Sequence, residues 1–190
     1  MSHPLVTIAV MDGCDECAGR DGDEKFTRFH DNVCRYGWMV QYVMAKTAWA
    51  YSVGLAGGFD HPEFVVVGLG PESSAYLVNS VGEMVRRGQV LDPDDDEPVP
   101  ISPGLAVRLL PVHHDHWDDG LFAMWRWYER ELGGPLPPAR AIQLVWPDET
   151  GRFSGDPDAD PLLELRQPLL DRSPYEGGWS NTLVETADPA

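Results

Sequence analysis

The stretch WAYSVGLAGGFDHPEFVVVGL, Trp49 to Leu69, restricts the possible folds more than any other part of the chain. Its first third alternates. Trp49, Tyr51, Val53 and Leu55 fall on one face and Ala50, Ser52 and Gly54 on the other, the two-residue period of a strand. Its last third, Phe64–Leu69, has no alternation, which fits a strand buried on both sides. Between them Gly54, Gly57 and Gly58 predict a turn, with Tyr51, Ser52, His61 and Glu63 gathered near it.

The flanking segments extend this unit. Phe26, Phe29, Val33 and Tyr36 recur at helical spacing, with Asp21 and Glu24 as a capping box and Gly37 as the stop. Trp38–Met44 reads as a strand antiparallel to Trp49–Leu55. Pro71 and Glu72 open a helix whose apolar stripe is Leu77, Val81 and Val85 and which Gly88 ends. Asp92–Gly104 reads as a loop of acids and prolines, and Leu105–His113 as the next strand. Asp115 is placed to cap a helix that buries Leu121, Met124, Trp125 and Tyr128 and ends at Gly133. Arg140–Trp146 is a further strand, and Leu162–Leu170 a short packed helix.

The expected architecture is α+β: a mixed sheet of about five strands, antiparallel at the start, with crossover helices packed on it. It divides into a flexible N-terminal segment with a Cys-x-x-Cys (1–22), one domain (23–170) and a flexible C-terminal tail (171–190).

Composition excludes some partners. With 31 acidic against 14 basic side chains the net charge is −17, so nucleic acid would approach against the field. No window has 18 uninterrupted apolar residues, which argues against a membrane span. The start lacks a basic leader and a cleavage pattern, and three cysteines are an odd number. Together these predict a reducing cytoplasm. The acidity serves solubility or attracts a basic partner protein, as in an immunity-type or regulatory protein.

In order along the chain, GW-x-V-x-x-V (Gly37–Val43), AYSVGL (Ala50–Leu55), HPE (His61–Glu63), GL (Gly68–Leu69), VH followed by Trp117, QLVWPD (Gln143–Asp148) with Gly151 and Phe153, and QPLL (Gln167–Leu170) stand over roughly residues 33 to 170. This run resembles a bacterial family known as domain of unknown function 4262. Ser154-Gly155 departs from the Pro-Trp expected after Phe153, and there is extra chain before the cysteines. The resemblance implies one cytoplasmic domain and brings no activity with it.

Candidate sites are placed by topology. If the helix Glu72–Arg87 is a crossover, Phe64–Leu69 and Leu105–His113 run parallel. His61 and Glu63 then share one sheet end with Leu55, while His113, His116 and Asp148 share the other, roughly 15–20 Å away. At that second end His113-His114-Asp115-His116-Trp117 and Trp146-Pro147-Asp148 would edge a crevice. On a continuing strand, His113 would face with Asp115 and His114 with His116. His113, His116 and Asp148 are the catalytic candidates, as a metal-assisted hydrolase. The ligand-binding set is Trp38, Tyr51, His61, Glu63, His113, Trp117, Trp146 and Asp148, a pocket for a small molecule or partner protein. The structural alternative makes Asp115 a helix cap and the histidines packing or surface residues. At the first end Glu63 is either a general base beside His61 or an acceptor for the turn's hydrogen bonds. Ser52 lacks the GxSxG context of a hydrolase nucleophile, and the glycines make no phosphate loop. Cys14, Cys17, His30 and Cys34 match the spacing of a zinc site, with unligated thiols as the alternative. The Asp-rich stretches at Asp92–Asp96 and Asp156–Asp160 lack the glycine and closing Glu of a calcium loop.

Overall fold

A computed structural model describes residues 8–12, 30–119, 141–176 and 178–180. Its strands are β1 (Ile8–Asp12), β2 (Met39–Met44), β3 (Trp49–Val53), β4 (Glu63–Val67), β5 (Val99–Ser102), β6 (Leu105–Pro111) and β7 (Ala141–Val145). Its helices are α1 (residues 30–36), α2 (Leu55–Phe59), α3 (Pro71–Arg86), α4 (His116–Asp119) and a one-turn helix at Leu163–Arg166. The strands form one mixed sheet in the order β1-β2-β3-β4-β7-β6-β5. β1·β2 and β4·β7 are parallel and the other four pairs antiparallel. The fold is α+β with an antiparallel β2–β3–β4 start. The two strands beyond the expected five are β1 and β5, at the two edges.

Alternation sorts the side chains into two layers. Val40, Tyr42, Ala50, Phe64, Val66, Ile142 and Leu144 point to one side and meet Leu77, Val78, Val81 and Val85 of α3. Met39, Trp49, Tyr51, Val53, Val65, Val67 and Ala141 point to the other, under Trp117 and Leu170. β4 is buried at every position, as its unbroken apolar run requires. Each fully buried Val, Leu or Phe contributes about 1.5–3 kcal/mol relative to exposure. On α3, Gly82 is needed for packing: a Cβ there would sit 2.7 Å from the Trp38 ring.

Two expectations need correction. The glycine-rich turn is the helix α2, entered through Gly54 at φ +122 and left through Asp60 in the left-handed region. The acidic loop ends in a strand: β5 pairs with β6 across Pro103-Gly104, with Gly104 at φ +80. This hairpin reverses the chain, so β6 runs antiparallel to β7 and opposite to β4. The parallel neighbour of β4 is β7. At one edge β1 pairs with β2, and past Leu170 the residues Ser173 and Ser180 are buried and Trp179 joins the second layer. Phe26 and Phe29, and Leu121, Met124, Trp125, Tyr128 and Gly133 of the helix expected after Asp115, lie outside the described residues.

Candidate functional site

Reversal of β6 regroups the candidates. Glu63 pairs with Ala141, and the Val112 N–H donates to the Ala141 carbonyl at 3.0 Å. Glu63 and Val112 therefore flank one residue of β7, about 10 Å apart across two strand spacings. His61, Glu63, His113 and His116 occupy one end of the sheet. Asp148 lies beyond the far end of β7, about 20 Å from Ala141 along the strand. The proposed crevice between His113 and Asp148 does not form, because antiparallel strands carry their C-termini to opposite ends.

The expected aromatic walls are packing residues. Trp38 is fully buried against Gly82 and Phe59, with its Nε1–H donating to Asn79 Oδ1 at 3.0 Å. Tyr51 and Trp117 lie in the second layer. Trp146 packs at the far end, donating from Nε1 to the Val67 carbonyl at 2.9 Å. Asp148 organises a loop there. Its carboxylate accepts from the Thr150 hydroxyl at 2.7 Å and from the N–H groups of Thr150, Arg152 and Asp160. These donors, the Thr150 hydroxyl foremost, hold its pKa well below the usual carboxylate range. A carboxylate so held is a poor proton acceptor. In the second Asp-rich stretch, Asp156 pairs with Arg108, Asp158 with Arg152 and Asp160 with Arg166.

Glu63 is 1% exposed. Ser52 Oγ–H donates to its Oε2 at 2.5 Å, and the Gly54 and Ala56 N–H groups donate to Oε1 at 2.9 and 3.1 Å. Ser52 Oγ in turn accepts the Phe64 N–H at 2.8 Å. The carboxyl thus ties the end of β3 to the first turn of α2, whose glycines make it a weak helix former. Burial pushes the Glu63 pKa up to about 7, outweighing the Ser52, Ala56 and Gly54 hydrogen bonds that lower it. His61, also buried, donates from Nδ1 to the Pro62 carbonyl at 2.8 Å and lies 5.0 Å from the Phe64 ring.

Pro111 ends β6, so the pleat does not govern the residues after it. His113-His114-Asp115 turns into α4, and one ligand atom from each of the three lies within 4.8 Å of the others. His113 Nδ1 accepts the Asp115 N–H at 3.3 Å and lies 3.5 Å from Asp115 Oδ2. His114 Nε2 lies 3.0 Å from Oδ1. The Ser173 hydroxyl donates to Oδ2, and that bond, with the neighbouring imidazoles, lowers the Asp115 pKa. Asp115 is therefore ionised at neutral pH. His116 points away, donating from Nε2 to the Arg172 carbonyl at 2.8 Å and stacking at 6.5 Å on Trp179.

His113 does meet Asp115, as alternation has it, but His114 does not face with His116. It joins His113 and Asp115 instead, while His116 turns to the C-terminal segment. Pro111, a poor residue inside a ladder, was the available sign that the strand stops. Ser173 had no sequence signal. Elsewhere, His30 Nε2 and Cys34 Sγ approach to 3.6 Å on α1, while Cys14 and Cys17 lie outside the described residues.

The motif glutamines hold the chain that closes the second layer. Gln143 donates from Nε2 to the Pro168 carbonyl and accepts the Leu170 N–H, both at 2.8 Å. Gln167 brackets Trp146 likewise, at 2.7 and 2.9 Å. Each side-chain amide imitates a strand neighbour.

Among the described residues no helix is long and apolar enough to cross a membrane. No curated protein and no solved structure matches the chain. The family model for domain of unknown function 4262 (DUF4262) matches residues 32–160, more than half of the chain and including β2 to β7. The chain belongs to the DUF4262 family.

Proposed function

We propose that this domain binds a divalent transition-metal ion through His113, His114 and Asp115. The observation that carries the reading is the convergence of two imidazole nitrogens and an ionised carboxylate within 4.8 Å. Three acceptor groups so close together favour a cation between them, either a proton on an imidazole or a metal ion. A tetrahedral ion at about 2.0–2.2 Å from nitrogen and oxygen ligands holds them closer than 4.8 Å. Rotation of the exposed His114 ring closes the gap. A net charge of −17 raises the local concentration of cations. Three protein ligands leave a coordination position for water or a small ligand, so the domain acts as a binding module with an open metal site.

Cobalt(II) substitution tests this. Visible d–d bands from nitrogen and oxygen donors, lost in His114→Ala, are expected. A sulfur-to-metal charge-transfer band would place the ion on the cysteine set with His30 and Cys34 instead.

A second reading concerns a basic partner protein. A cleft of ≈ 240 Å³ is lined by the acids Asp92, Asp95, Asp96 and Glu97 together with the apolar Leu91 and Val99. That combination suits the stem and head of a Lys or Arg side chain. Binding through it should weaken steeply with salt, and a complex insensitive to ionic strength would contradict it.

A further inference from the structure

The loop that brings the metal ligands together is also the loop that holds the C-terminal segment on the sheet. Three of its four residues, His113, Asp115 and His116, contact that segment. The His113 N–H donates to the Leu170 carbonyl at 2.7 Å, the Ser173 hydroxyl to Asp115 Oδ2, and His116 Nε2–H to the Arg172 carbonyl at 2.8 Å. Ser173 then organises the turn after it. Its hydroxyl accepts the Tyr175 N–H at 3.2 Å, and its carbonyl accepts the N–H groups of Glu176 and Gly178. Trp179 lies edge-on to Trp49 at 6.1 Å and covers His116, placing the end of the segment over the second apolar layer.

The two oxygens of Asp115 face different groups. Oδ1 lies beside His114 Nε2, while Oδ2 accepts from Ser173 and lies 3.5 Å from His113 Nδ1. A metal bound through Oδ1 leaves the Ser173 contact in place. Both functions need the same Asp115 rotamer and the same turn, so each favours the conformation that the other requires.

We infer that metal occupancy at His113–His114–Asp115 clamps the segment Leu170–Ser180 against the sheet, and that loss of the ion loosens it. The inference rests on the metal reading. It adds that the site regulates access to the apolar layer holding Trp49, which Trp179 of the segment covers. By linkage, the segment must strengthen metal binding by the factor with which the metal strengthens the segment's docking, about 5-fold or more for a coupling of ordinary size.

Hydrogen exchange of the full chain, with zinc and with a chelator, tests this alongside calorimetric zinc binding. Zinc is expected to slow exchange of the Tyr175, Glu176 and Gly178 amides about 5-fold or more. His114→Ala, whose side chain is 75% exposed, should remove the difference between exchange with zinc and exchange in chelator. Ser173→Ala should weaken zinc binding by a similar factor. Zinc binding with unchanged exchange at those amides overturns the clamp and leaves the metal site standing. No zinc binding at all overturns the site and the clamp together.

Discussion

Replacing Glu63 by Gln should flatten the pH dependence of stability between about pH 4.5 and pH 7. In the native chain the carboxyl is buried and titrates near 7, against an ordinary value of 4.5. Between those two values the folded state holds a proton that the unfolded state has released. Stability from this group is therefore complete below about pH 4.5 and is lost as pH rises through about 7. The loss is about 3 kcal/mol, from roughly 1.4 kcal/mol per pKa unit. In Glu63→Gln the amide oxygen can still accept the Gly54 and Ala56 N–H groups, but the Ser52 hydroxyl proton loses its acceptor, at a cost of about 1 kcal/mol. The variant should be the less stable protein at pH 4.5 and the more stable one at pH 8, so the two curves cross. Urea unfolding tracked by tryptophan fluorescence across this range measures the difference profile, in which the other titrating groups cancel. Parallel curves would refute the reasoning.

Three further perturbations test the packing and the topology. Gly68→Ala places a Cβ 1.8 Å from the Arg166 carbonyl at a backbone φ of +83, and should destabilise by about 2 kcal/mol or more in the same urea assay. Gln143→Leu leaves the Pro168 carbonyl and Leu170 N–H without their partner. It should cost about 1–3 kcal/mol and speed proteolysis near Leu170; resistance equal to wild type would argue against the glutamine brackets. Asp148→Ala removes the acceptor of four hydrogen bonds, so it should lower the melting temperature while leaving metal affinity unchanged. A large loss of affinity would contradict placing Asp148 and His113 at opposite sheet ends.

Much of the fold was legible where a local pattern and its burial agree. The unbroken run Phe64-Val65-Val66-Val67 is a strand buried on both sides, and the Leu77, Val81 and Val85 stripe faces the sheet from α3. The alternation of Trp49, Tyr51 and Val53 gives the layer they share. Direction was not legible. It turned on whether Val99–Ser102, inside an acidic proline-rich stretch, would pair back across Pro103-Gly104, and pairing of that kind is decided by neighbours distant in sequence. That one reversal carried His113 to the end occupied by Glu63 and left Asp148 at the other. The roles of Gln143, Gln167 and Ser173 were equally hidden, because each partners backbone or a carboxylate more than 20 residues away. Helical spacing did bring His30 and Cys34 together on α1.

Zinc titration calorimetry on the full chain, compared with His113→Ala, His114→Ala and Cys34→Ser, addresses the metal site most directly. Loss of binding by about 10-fold or more in both histidine variants is expected, since removing a ligand costs at least as much as removing its supporting partner. Cys34→Ser should bind as wild type does. Zinc affinity that survives His114→Ala, or that disappears in Cys34→Ser alone, would contradict a site at the start of α4.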